Sequence, residues 1–491
     1  MKRLLVLCLV LLMTLSLIGC SNKNDNQGTA EKTGYNYRLD HDTFSVGYSR
    51  IDITPELAVP MAGYGNPSKR LSQNIQDYLY ATSIAVNDGL GNTVVFLSLD
   101  LQRASDIIVQ TIRPALAEKT GLPQSAFQIT GTHTHSGPDV QVVHDAATTY
   151  NSKLFPKLEQ VVMESLEDLK PATMSVGSIE AEGLNFVRHY GHKETDGSVS
   201  WFGDNFGTIV IDENTIHASV ADPTMYVVKF DRADAQDVCM LNWRAHPHWT
   251  GGSSLYNISS DLIGPFRECF ELQTGMLFGY YQGAAGNVNE KSRINAEMLV
   301  SDYYEHGARL ADYAAKCLNE NMENVALGAI TVREETLELK VNKTEDLNEL
   351  NAAKVYQKIY GSSNNRQVAN EAAMSMGYSF NSQYAAAAVV TNSKRENTEN
   401  RTYTVVTIGK DFAITLAPHE MFDRTMSRVE EASPYKHTLH FSYSNGTNTY
   451  MPDLMTWETG SYEVDTAVFV EGSAELVEEL FIRMLKEMHN N

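Results

Sequence analysis

Thr93–Leu99 (TVVFLSL) is a continuous apolar run of strand length. Ala104–Thr120 follows with helical spacing, and Phe127–Thr130 (FQIT) is a second short strand. Strand, helix and strand within about 40 residues predict a βαβ unit, which commits the chain to an α/β sheet. Pro114 inside the helical stretch is expected to kink it. The same alternation continues downstream. Met225–Phe230 and Val238–Trp243 read as paired strands, Asp261–Leu272 as a helix, and Met276–Tyr281 as a strand opening into a Gly/Ala loop. Glu297–Asn321 is the longest amphipathic helical stretch. Strands are expected near Ile330–Val341, Tyr403–Ile408 and Phe412–Leu416, with a helix near Leu347–Ile359; Asn381–Arg401 reads as an exposed polar insertion. The expected architecture is α/β with a mixed sheet in one body spanning residues 45–491.

With 43% hydrophobic residues in 491, the chain has ample material for a core and is not a disordered protein. Its formal net charge of −22 repels the phosphate backbone, so a nucleic-acid partner is not expected.

Lys2 and Arg3 precede an apolar run from Leu4 to Ile18, too short for a comfortable membrane span, which ends in Leu17-Ile18-Gly19-Cys20. That pattern reads as a secretory signal over residues 1–19 and looks like the lipobox of bacterial lipoproteins, with Cys20 the lipidated first residue. The chain is then expected to be anchored to the outer face of a bacterial membrane rather than to span it. Residues 20–44 are polar and serve as a flexible tether. Beyond Cys20 only Cys239, Cys269 and Cys317 remain, so at most one disulfide can form.

Three of the histidine clusters follow expected strand ends, where α/β sheets place ligands. The first is Gly131-Thr132-His133-Thr134-His135-Ser136-Gly137-Pro138. In an extended segment His133 and His135 point to one side, and two neutral imidazoles on one face suit a borderline metal such as zinc. The second is Asn242-Trp243-Arg244-Ala245-His246-Pro247-His248; the third, Ala417-Pro418-His419-Glu420, adds a carboxylate. Together they offer the ligand count of a catalytic zinc site with one open position, and so point to a metallohydrolase.

Further strings carry a resemblance. Ile51-Asp52-Ile53-Thr54-Pro55, Met61-Ala62-Gly63-Tyr64, Ser98-Leu99-Asp100 and GTHTHSGP resemble the N-terminal signature of the neutral, non-lysosomal ceramidase family. NWRAHP, Ser259-Ser260-Asp261-Leu262-Ile263-Gly264, Gln282-Gly283-Ala284-Ala285-Gly286-Asn287-Val288, APHE and a Tyr-rich end keep the family's order over residues 45–490. The resemblance implies one zinc ion per chain held by His133, His246, Glu420 and Tyr450. It implies His135 beside the metal without being a ligand, Arg188 facing the substrate carbonyl, and Tyr462 as a second active-site tyrosine. The implied activity is hydrolysis of the amide of ceramide-like or other N-acyl substrates by zinc-bound hydroxide, with His135 passing a proton to the leaving group.

The chain departs from the family pattern in two places. Where typical members carry a Gly-Asp-Val-Ser-Pro-Asn string, this sequence reads Gly286-Asn287-Val288-Asn289-Glu290. Asn289 thus stands in place of a serine, and its amide is expected to orient or polarise by donating a hydrogen bond. The family's C-terminal immunoglobulin-like domain is expected to be missing. Two other readings stay open: an esterase using the same site, and a lipoprotein that binds a ligand without turning it over. A second, structural cation near Asp100 or Asp261 is left open, as is the oligomeric state.

Overall fold

The computed structural model describes residues 42–491 except 57, 203–210, 295–299 and 447–448. The signal, Cys20 and almost all of the tether lie outside the described residues, as does the start of the long helix expected from Glu297.

The founding βαβ expectation matches the structure. β1 (Ser45–Asp52), β2 (Tyr80–Asn87) and β3 (Thr93–Leu99) run antiparallel in turn. α1 (Asp106–Thr120) then returns the chain so that β4 (Phe127–Gly131) pairs parallel with β3. Every residue of β3 is buried, because both faces of the strand are covered. α1 continues through Pro114, and α2 (Asp145–Glu167) packs beside it.

From α2 the chain re-enters the sheet on its other flank as β5 (Lys170–Glu180), β6 (Thr224–Arg232) and β7 (Val238–Trp243). α3 (Ile263–Thr274) then brings β8 (Leu277–Gln282) parallel to β7. The strand order is β8-β7-β6-β5-β1-β2-β3-β4, a mixed sheet with a βαβ unit at each edge; Glu323–Asn324 adds a short pairing to β5. α4 (Tyr303–Glu320) packs on α3.

A second sheet repeats the device. β9 (Ile330–Lys340), β10 (Thr398–Ile408) and β11 (Phe412–Leu416) are antiparallel neighbours, and α8 (Asp423–Ala432) delivers β12 (His437–Phe441) parallel to β11. Between β9 and β10 lie α5 (Leu347–Ser363), α6 (Arg366–Met374) and α7 (Gln383–Asn392). The stretch expected as a polar insertion at Asn381–Arg401 is therefore corrected. It contains α7 and the start of β10, because Ala385–Val390 is an apolar helical run capped by the Ser382 side chain. After β12 come α9 (Leu454–Thr459), α10 (Tyr462–Asp465) and α11 (Ser473–Asn490).

Burial separates four layers. α1 to α4 cover one face of the large sheet. Its other face meets the second sheet through Phe96, Tyr281 and Phe441, whose rings pack at centroid distances of 4.6–6.2 Å. α8 and α11 close the far face of the second sheet. The three parallel pairs of the two main sheets end in loops rich in His, Glu or Tyr. Cys239, Cys269 and Cys317 are free thiols.

Candidate metal centre

Each imidazole and carboxylate of the site follows the carboxyl end of a strand in one of these parallel pairs: His133 after β4, His246 after β7, Glu420 after β11. His133, His135 and His246 are buried and present ligand atoms within 4.8 Å of one another. Glu420 Oε2 stands 3.1 Å from His246 Nε2 and 3.4 Å from His133 Nε2, and His133 Nε2 stands 3.3 Å from His135 Nε2. Donors about 2.1 Å from a tetrahedral zinc ion lie roughly 3.4 Å apart, so the spacing suits such an ion.

The outer nitrogens define the tautomers. His133 Nδ1 donates to the carbonyl of Gln102 at 2.8 Å, and His246 Nδ1 donates to that of Val288 at 3.1 Å. Both Nε2 lone pairs therefore face the cluster, the arrangement that metal-ligating histidines adopt. Burial, then the Arg188 charge, pushes His246 down to about 3, so it is neutral at pH 7. Burial works to raise the Glu420 carboxyl, but the His133 and His246 imidazoles outweigh it and hold Glu420 well below the usual carboxylate range. His135 is likewise lowered, by burial first and by His133 next, and its Nδ1 is buried without a hydrogen-bond partner. This donor set, two oriented imidazoles and an ionised carboxylate, fits a divalent cation.

One part of the sequence argument needs correction. His133 and His135 do not converge through strand alternation: β4 ends at Gly131, and His133 adopts a left-handed φ of +71°. The ring of Tyr443, itself at φ +57°, stacks on His133 at 3.8 Å and fixes its plane. Gly63 makes the approach on the other side. A Cβ there would lie 2.6 Å from the His135 Cβ, and its φ of +102° suits only glycine.

Tyr450 is brought beside Glu420 by a short parallel pairing of Glu420–Met421 with Tyr450–Met451. Burial, then the Glu420 charge, raises its phenol well above the ordinary value. Tyr462, the first residue of α10, packs against Tyr450 with ring centroids 5.7 Å apart. Arg188 lies over the Tyr450 ring at 5.4 Å and donates to Glu463 Oε1 through Nε at 2.6 Å and to the carbonyl of Gly286 at 2.9 Å. Asn289 is half-buried, and its Oδ1 accepts from Arg188 Nη1 at 3.4 Å. Asn289 thus acts on the guanidinium.

Sequence reasoning passed over Glu463 and Glu290. Glu463 is fully buried between Arg188 and His189, and Glu290 is fully buried against His248. Their signal was indirect, in that a buried guanidinium or imidazole near a site requires a counter-charge. Of the carboxylates weighed for a second cation, Asp100 pairs with Arg267 at 2.7 Å, and Asp261 accepts from the backbone and hydroxyl of Thr250 at 2.7 Å.

Comparison with known proteins follows the same lines. Residues 44–274 match the family described as "Neutral/alkaline non-lysosomal ceramidase, N-terminal". Neutral ceramidase 2 of Arabidopsis thaliana is 25% identical over 287 residues, which cover 55% of this chain and 35% of that protein. Neutral ceramidase of Drosophila melanogaster is 30% identical over 105 residues, covering 21% of this chain and 15% of its own length. The crystal structure of neutral ceramidase from Pseudomonas aeruginosa superposes with a TM-score of 0.66 at 16% identity, over 92% of this chain and 75% of that one. The chain thus shares that fold, while its alignment with the Arabidopsis protein spans about a third of that relative's length.

Proposed function

Because the chain belongs to the neutral/alkaline non-lysosomal ceramidase family, we propose that it hydrolyses the amide bond of ceramide-like or other N-acyl compounds at a zinc centre held by His133, His246, Glu420 and Tyr450. The carrying observation is the Glu420 oxygen between two Nε2 atoms whose rings are locked by backbone carbonyls. Zinc at these donors supplies Lewis acidity toward water and an acyl carbonyl.

The chain's own residues do the rest. Arg188 brings a fixed positive charge beside Tyr450, where negative charge develops on the acyl oxygen, and Glu463 and Gly286 hold its plane. Tyr462, next to Tyr450, adds a hydroxyl donor to the same wall. His135 lies within the imidazole cluster, its ring centroid 4.9 Å from that of His133, and is the group assigned to pass a proton to the departing amine. Anchoring through Cys20, with residues 20–44 as the tether and 45–491 as the catalytic body, completes the proposal and places the enzyme at the cell envelope.

Purified protein should contain one zinc per chain and hydrolyse members of a panel of N-acyl sphingosines, N-acyl amino acids and simple esters. Chelation should abolish turnover. His133→Ala and Glu420→Ala should each lose metal and activity together; a variant that keeps its full metal content overturns the ligand assignment. Cys20→Ala should release the protein from membranes, and an unaltered membrane fraction would refute the anchor.

A further inference from the structure

The start of α3 meets the end of β1, the start of β2 and the first turn of α4 around a cavity of about 330 Å³. Ligand sites measure about 300–1,000 Å³ and are mostly apolar, whereas this one is small and lined chiefly by polar side chains. None of the metal-cluster residues lines it. Ser259, next to the lining residue Ser260, donates its N–H to the carbonyl of Ser136 at 3.0 Å and accepts from Thr134 Oγ1 at 2.7 Å. One residue thus links the cavity to the turn that carries His133 and His135.

The charges in the cavity are already matched. Arg50 holds Glu271 through two hydrogen bonds at 2.5 and 3.1 Å, and Arg267 holds Asp100 at 2.7 Å. Both guanidinium groups also lie over the Tyr80 ring, at 5.2 and 5.0 Å. Asp77 accepts from the hydroxyl of Ser259 and, at 3.2 Å, from that of Tyr303; Glu268 is exposed to water. An anion here would meet Asp77 and Glu268, and a metal ion would meet two arginines, so the pattern favours a neutral ligand.

Hydrogen bonding, by contrast, is unmatched. Ser260 and Arg267 both line the cavity at 0% and 7% exposure, and Ser260 Oγ and Arg267 Nε have no hydrogen-bond partner. Asp100 Oδ1, on the carboxylate that Arg267 holds, has none either. Buried polar atoms left in this way are few in a folded protein. Gly264 keeps the Ser260 hydroxyl clear, since a Cβ there would lie 2.6 Å from Oγ. Hydroxyl groups both donate and accept, so a ligand carrying several of them suits a guanidinium beside a hydroxyl and a carboxylate. Tyr78 and Tyr304, which also line the cavity and are 59% and 50% exposed, add aromatic surface.

We propose that this cavity binds one neutral sugar ring, its hydroxyls bonded to Ser260 and Arg267 and its C–H surface against Tyr78 and Tyr304. The inference does not depend on the hydrolase reading above. The ring is either a free sugar or the end of a glycan chain, which share this chemistry.

The test is isothermal titration and saturation-transfer NMR with the methyl glycosides of glucose, galactose, mannose and N-acetylglucosamine, followed by a disaccharide of whichever binds. At least one methyl glycoside should bind wild type at one site per chain. Ser260→Ala, which removes only an oxygen without a partner, should weaken that binding about 2- to 12-fold, the worth of one hydrogen bond. Tyr78→Ala and Tyr304→Ala, at exposed positions where folding is expected to survive, should each weaken it about threefold or more. Tighter binding of the disaccharide assigns the ring to a glycan chain, and equal or weaker binding assigns it to a free sugar. Inorganic phosphate and glycine should not compete. Binding of none of the four glycosides overturns the proposal. So does an affinity unchanged in all three variants, which would place the sugar elsewhere, or displacement of the sugar by phosphate or glycine, which would make the site one for charged ligands.

Discussion

Glu463→Gln removes the charge that holds Arg188. The Glu463 carboxylate is fully buried and is met by Arg188 Nε at 2.6 Å, Arg188 Nη2 at 2.5 Å and His189 Nε2 at 2.8 Å. Arg188 is 5% exposed, so its guanidinium cannot turn to water in compensation. Breaking a buried pair from one side costs about 3–5 kcal/mol, because the surviving charge is left without its partner. Glutamine keeps one acceptor for Arg188, which puts Glu463→Gln near the lower end, about 3 kcal/mol, and Glu463→Ala near the upper. The pH dependence has a definite sign. Burial works to raise the Glu463 carboxyl, but Arg188 and then His189 outweigh it and hold it well below its ordinary value of 4.5. The group therefore contributes stability that is fully present above that ordinary value and is lost as pH falls below it toward the folded-state value. Urea unfolding of wild type, Glu463→Gln, Arg188→Met and the double variant at pH 7 and pH 4 reads both effects. A coupling energy of about 2–3 kcal/mol at pH 7, shrinking at pH 4, is expected. A Glu463→Gln protein within about 0.5 kcal/mol of wild type, or a coupling near zero, refutes the argument that this ion pair fixes the guanidinium.

Two other outcomes follow from the same reasoning. Gly63→Ala forces a left-handed residue and a Cβ against His135, so thermal unfolding should show a loss of about 1–3 kcal/mol and chelator competition a weakened metal site; equal melting and equal metal affinity would show that the close approach is dispensable. Around Arg244, three carboxylates, Asp423, Glu430 and Asp222, crowd within 3.2 Å, and burial pushes Glu430 up to about 7 against the pull of the arginine. An acid raised on folding stabilises the fold below its ordinary value of 4.5 and loses that contribution as pH rises to about 7. Glu430→Gln should therefore remove a fall in melting temperature between those limits, and parallel pH profiles for the two proteins would refute the assignment.

What could be read from the sequence was local. β3, α1 and β4 announce themselves because a fully buried strand is apolar throughout and its crossover helix has its own period. The histidine strings after β4 and β7 were visible for the same reason, since each strand end is marked by its pattern. The convergence of His133 and His135 was reached by the wrong geometry: a single left-handed residue, supported by Tyr443 from more than 300 residues away, does what strand alternation was expected to do. Glu463 was out of reach because its partner Arg188 is 275 positions earlier, and nothing in either neighbourhood encodes the meeting. α7 lies in the stretch read as an exposed polar insertion because polar residues at its ends masked a short alanine-rich helix whose burial is supplied by α5 and α6.

The donors around the cluster are divided between the two sheets: His133 and His246 follow strands of the large one, Glu420 follows a strand of the small one, and Tyr450 is brought in by its pairing with Glu420. A polypeptide severed in the connection between α4 and β9 would yield two fragments, each with half of the proposed ligands. Chemistry in such a split protein would report reassembly of the sheet-to-sheet seam, so the proposed hydrolase would carry a built-in reporter of its own complementation.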